Sequence, residues 1–141
     1  GVSPYVTVAT FLSILGALSY NILSNLGWIG TFLAPSLKSD RYPRLDRQSM
    51  TVANAALLFI DFLKLPGIRA KAIRARKTNP TAPDELPEEK SARNAARAAV
   101  IHFLDFLVES QWVSWHPLGT GSLAAASACS AALSISSLLD L

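Results

Sequence analysis

The chain has 141 residues, half of them hydrophobic and only 16% charged, against about 25% charged in an average soluble domain. That length builds one core, and the apolar content excludes disorder across the whole chain. Cys129 stands alone, which excludes a disulfide scaffold and a zinc site made from paired cysteines.

The net charge of +3 matters less than where the charges lie. All 13 Lys and Arg residues fall between Lys38 and Arg97, and the chain is uncharged from Gly1 to Leu37. Apolar ends around a basic middle predict an all-α membrane protein of about four helices with its positive loops on one side. Two helices, the first and the last, are expected to be strongly apolar and the other two amphipathic. Nucleic acid is an unsuitable partner for so apolar a chain.

The first helix is predicted over residues 5–33, about 45 Å at 1.5 Å per residue. That exceeds one straight crossing of a bilayer. It is too long, and lacks the basic flank, for a secretory signal. Asn21, Ser24 and Asn25 share one face, and Asn21 and Asn25 at that depth should face protein rather than lipid. Gly27, Gly30 and Pro35 predict its end. Residues 37–49 mix both charges with Pro43 and read as an exposed loop.

A second helix is predicted over 50–65, with Asn54 and Asp61 seven apart on one face. Pro66-Gly67 is expected to stop or kink it. Residues 66–90 then read as a basic, Pro-rich loop. Arg69, Lys71, Arg74, Arg76 and Lys77 supply five basic groups in ten residues without an acid. Such a run suits the cytosolic flank of a span and the headgroups of anionic lipids. The stretch NPTAPDELPEEK reads as a mobile linker.

Ser91 is the expected N-cap of a third helix, 91–113. His102, Asp105 and Glu109 lie on one face and Val100, Phe103, Leu104 and Leu107 on another, so this helix is amphipathic. The last helix, 119–139, is uncharged to Leu139 and crowded with small residues. Gly121, Ala125 and Cys129 recur every four positions, as do Ser122, Ala126 and Ser130. Small-xxx-small repeats let helices approach closely in lipid. Trp28, Trp112 and Trp115 near segment ends suit either an aromatic belt or core packing.

Catalytic chemistry finds little support. There is no GxSxG motif and no glycine-rich phosphate loop. His102 with Asp105 could hold a metal or relay a proton, but a polar stripe satisfying itself between helices is the simpler reading. Asp61 and Asp105 are acids in apolar helices, where charge is costly and often functional. Structural pairing, of Asp61 with Lys64 for example, competes with ion or proton conduction. No enzyme activity, cofactor or metal is expected.

Three passages resemble the peroxin-11 family, the peroxisomal membrane-elongation proteins. YNILSNLGWIGTFLAP, residues 20–35, is similar to that family's DN-x-x-W-x-G stretch. Asn25, Trp28 and Gly30 match, and Ser24 stands where Asp is frequent. TVANAALLFIDFLKLPGIRAK, residues 51–71, resembles the family's second helix and its basic exit. Residues 100–139 resemble its closing pattern of an Asp-bearing amphipathic helix, an aromatic and glycine turn, and a small-residue span. Asp105, Gly119 and Gly121 fall at the matching positions. The resemblance implies a peroxisomal integral membrane protein that promotes elongation and proliferation of the organelle and self-associates. The alternatives are a small subunit or scaffold of a larger membrane complex, and a small channel or carrier.

Overall fold

In the computed structural model, which describes residues 3–112 and 118–138, four α-helices follow one another. There is no strand among the described residues. They are α1 (Pro4–Phe32), α2 (Tyr42–Thr78), α3 (Pro87–Trp112) and α4 (Thr120–Leu138). A short 3-10 turn, Pro35–Leu37, lies between α1 and α2.

α1 is 29 residues and α2 is 37, so they are about 44 and 56 Å long. Both are long and apolar enough to cross a membrane, with 18-residue stretches of mean hydropathy 1.7 and 1.4. The second helix, expected to be amphipathic, thus also carries an apolar run that meets this test and ends at Leu65, while α4, uncharged along its described length, keeps the apolar character expected of the last helix.

The second helix is the main departure from expectation. It starts at Tyr42, not near 50, because Pro43 sits in its first turn, where a missing N–H costs nothing. It does not stop at Pro66-Gly67 but continues to Thr78. Pro66 removes one backbone hydrogen bond, yet eight of the ten residues of IRAKAIRARK are Ala, Arg or Lys, all strong helix formers. Arg76 and Lys77 in the last turn also oppose the negative end of the helix dipole. Half of the expected 66–90 loop is therefore helix. α3 likewise opens at Pro87 rather than after Ser91. Glu88 and Glu89 occupy its first turn, where the dipole favours acids.

Each helix packs only on its neighbour in sequence: α1 on α2, α2 on α3, α3 on α4. Among the described residues, α1 does not approach α3 or α4. The expected helical bundle is thus an open series of hairpins without a closed centre.

The α1–α2 seam is made of small side chains. Val6, Ala9, Ser13 and Gly16 of α1 and Ala53, Ala56 and Ile60 of α2 are buried. Val6, Ala9, Ala56 and Ile60 form one cluster. Ser13 and Thr51 are buried without cost because each hydroxyl donates to a carbonyl of its own helix, Thr10 O at 2.8 Å and Arg47 O at 2.8 Å. At Gly16 the α2 backbone comes close: a Cβ there would stand 2.6 Å from Ser49 O. Gly30 performs the same service at the turn, where a Cβ would lie 2.9 Å from the Lys38 backbone.

The large apolar side chains point the other way. Tyr5, Phe11 and Phe62 are 68, 64 and 74% exposed. Val8, Ile14, Leu18, Ile22 and Phe59 are exposed as well. The interior is alanine and glycine, and the outside is phenylalanine, leucine and isoleucine.

Candidate functional site

Two polar links cross between helices at mid-length. The first joins α2 to α3. His102 Nδ1 lies 2.6 Å from Asp61 Oδ2, with both side chains largely buried. An ionised carboxylate only accepts, so with Asp61 charged the imidazole carries its proton on Nδ1. The second joins α3 to α4, where the Ser130 hydroxyl donates to Asp105 Oδ1. Asp61 and Asp105 thus each meet the following helix. Asp61 pairs with His102 rather than Lys64, and His102 with Asp61 rather than Asp105, because antiparallel packing brings α3 against α2.

Asn21 and Asn25 do not join them. Both are exposed on α1, and Asn21 Nδ2 donates to Ala17 O at 2.8 Å. They therefore do not face protein within this chain. The four polar residues Asn21, Asn25, Asp61 and Asp105 line no common path. Beside the Asp61–His102 pair, α2 and α3 part into an apolar groove of about 520 Å3. Pro66, Ala96 and Ala99 are among its lining residues, with Phe62 and Phe103.

The basic end of α2 divides into two sets. Arg69, Lys71, Arg74 and Lys77 are exposed. Arg76 is not available with them. Its guanidinium forms a two-pronged ion pair with Glu89 at the start of α3, with Nε 2.7 Å from Oε1. It also donates to Ala82 O at 2.9 Å and Asp84 O at 3.3 Å. The Leu86 N–H donates to Glu89 Oε2 at 3.0 Å, one half of a capping box. Arg93 pairs with Glu85 at 3.1 Å. The segment read as a mobile linker is a short turn closed over an arginine. Sequence reading missed this because all five cations were taken as one patch.

The Arg76 guanidinium and then the Leu86 amide hold the Glu89 carboxyl down to about 2 from its usual 4.5. A lowered folded-state pKa means that the clasp contributes fully above about 4.5 and is lost as pH falls through about 2. We expect the Glu89 carboxyl carbon, followed by NMR, to titrate near 2 in the native chain. In Arg76→Gln it should move up toward 4.5; an unmoved midpoint would dismiss the clasp.

α4 presents its two small-residue rows differently. Ser130 is buried and Ala126 half-buried, while Ser122 is exposed. Gly121, Ala125 and Cys129 are exposed, so that row packs on nothing among the described residues. Trp28 ends α1 exposed and tilted against Phe32, ring centres 5.5 Å apart. Trp115 and the side chain of Trp112 lie outside the described residues, as do Val113 and Leu139 of the expected helix ends.

Among the described residues no group of three or more His, Cys, Asp and Glu could hold a metal ion. The chain matches no family model, no curated protein and no solved structure. Its likeness to the peroxin-11 family therefore rests on its own residues.

Proposed function

We propose that this chain is an integral membrane protein that remodels and elongates the membrane it occupies, of the peroxisomal peroxin-11 type. One observation carries the membrane reading: α1 and α2 turn their small residues toward each other and their large apolar ones outward. In water that arrangement would expose a continuous apolar surface. In lipid it is favourable, since chains of hydrocarbon solvate the large side chains and small ones allow close backbone packing.

The remodelling and peroxisomal readings draw on the resemblance of residues 20–35, 51–71 and 100–139. An open series of hairpins suits them, because it spreads inserted helices laterally instead of closing around a centre. Of the 13 basic residues, four (Lys38, Arg41, Arg44 and Arg47) lie before α2 or in its first two turns, and the remaining nine lie from Lys64 onward. The charge rule then favours the basic end of α2 on the cytosolic side. There Arg69, Lys71, Arg74 and Lys77 would meet anionic headgroups, each contributing about 1 kcal/mol.

The test is localisation of the tagged full-length protein beside a peroxisomal matrix marker. Coincidence, with elongated or more numerous organelles on overexpression, supports the reading. Residence in another membrane removes the peroxisomal part. A second reading, a scaffold subunit of a larger membrane complex, is favoured by the uncovered Gly121, Ala125 and Cys129 row of α4. Purification from mild detergent as a lone stable monomer would count against it and against self-association alike.

A further inference from the structure

α1 and α2 lie side by side but are apolar over different lengths. α1 carries no charge in its 29 residues, about 44 Å of helix. α2 is bounded by Arg47 and Lys64, and residues 48–63 between them make about 24 Å of helix. Asp61 is the one charge inside that stretch, and it faces His102. An ordinary bilayer core is about 30 Å thick. α3 draws the same two levels. The Asp61–His102 and Arg76–Glu89 contacts fix its antiparallel register on α2. Arg97 then lies level with Pro66, just past Lys64. At the other end Glu109 interacts electrostatically with Arg47 and Asp46. By the same register the Glu109 backbone is level with Asn54, on the inner side of Arg47. Arg47 is thus drawn toward the middle of α2, which opposes the outward reach by which a long cation lengthens a short span.

From these two levels we propose that the protein fits a bilayer with a hydrocarbon core of about 24 Å, built from short-chain phospholipids, and thins a thicker bilayer around itself. The inference rests on the membrane reading above and adds the lipid that suits it. α1 sets no limit of its own, so the thickness comes from the charges of α2 and α3. Lipid yields before the helices do, because thinning costs less than drawing a guanidinium or an ammonium into hydrocarbon. The same mismatch disfavours a thick, sterol-rich membrane of about 32 Å.

The experiment reconstitutes the full chain in phosphatidylcholines of increasing acyl length, from dimyristoleoyl through dioleoyl to dierucoyl. Each is mixed with brominated dioleoyl phosphatidylcholine, which quenches the chain's own tryptophans on contact. Competition gives the binding constant of each lipid relative to the others. Dimyristoleoyl lipid should bind about threefold more strongly than dierucoyl lipid. Lys64→Leu combined with Arg97→Leu extends the stretch between the cations of α2 to Ile68, about 31 Å, and should move the optimum to dioleoyl lipid. Lys64→Arg combined with Arg97→Lys keeps both charges and should keep the wild-type order. Helix content by circular dichroism confirms that both variants fold.

A wild-type optimum at dioleoyl or longer chains overturns the thickness proposal. So does equal binding at all lengths, or an optimum that stays in place once both charges are gone. Flotation of the reconstituted vesicles keeps this separate from the reading beneath it. A chain that floats with the vesicles yet shows no short-chain preference loses only the thickness proposal. A chain that stays behind loses the membrane reading itself.

Discussion

Gly16→Ala should destabilise the α1–α2 hairpin by about 1–3 kcal/mol, the usual cost of overpacking a close contact. The sign is the informative part. An alanine in place of a mid-helix glycine ordinarily gains up to about 1 kcal/mol, since it removes unfolded-state freedom. At Gly16 the new methyl would stand 2.6 Å from Ser49 O and 3.0 Å from Ala53 Cβ, and the backbone atom cannot swing aside. Gly16→Leu should separate the helices altogether. Gly67→Ala is the control: it lies within α2, and a Cβ there meets nothing within 4 Å. Unfolding in mixed detergent micelles reads all three. Gly16→Ala behaving like Gly67→Ala would mean that the helices do not meet at this point.

The Asp61–His102 pair should show a coupling of about 1 kcal/mol in a double-mutant cycle, within the range of about 0.6–1.7 kcal/mol measured for polar pairs between helices in lipid. Asp61→Leu and His102→Leu should each cost about 1–3 kcal/mol, because each strands a partner that is about three-quarters or more buried. The double substitution should cost less than the sum, since it removes both polar groups together. Additive single costs would show that the two side chains do not depend on each other. The same variants bear on function. A pore-lining Asp61 would alter solute flux more than stability, whereas a helix-joining Asp61 alters stability first.

The helices themselves were legible. An uncharged apolar run predicted residues 5–33 as helix, and α1 occupies Pro4–Phe32. The run carries no charge, and its Thr10, Ser13, Asn21 and Thr31 side chains bond back to carbonyls of the same helix, so local rules suffice. Helix stops were less legible. Pro66-Gly67 has every mark of a terminus, but the flanking alanines, arginines and lysines sustain the helix on both sides. Ser91 was a sound cap by type, but the helix opens one turn earlier at Pro87, where Glu89 accepts the Leu86 N–H.

Candidate sites were legible as residue types and not as pairs. Asp61, His102 and Asp105 stood out because polar groups in apolar helices need partners. Their partners lie 41 and 25 residues away, beyond any i, i+3 or i, i+4 rule. Arg76 looked like its four basic neighbours until Glu89, thirteen residues on, turned back against it. The small-residue rule was applied to α4, where the repeat is longest. It describes α1 equally well through Ala9, Ser13 and Gly16, and at Gly16 the α2 backbone leaves no room for a Cβ.

By itself, then, the sequence determined a helical chain with an apolar first segment, a basic middle and a small-residue end. Those properties depend on composition and on spacing within one or two turns. Only the tertiary structure decided which faces meet, which acids pair, and that the helices stay open instead of closing into a bundle. Such choices depend on how closely two backbones can approach, and a single missing Cβ at Gly16 settles that for α1 and α2.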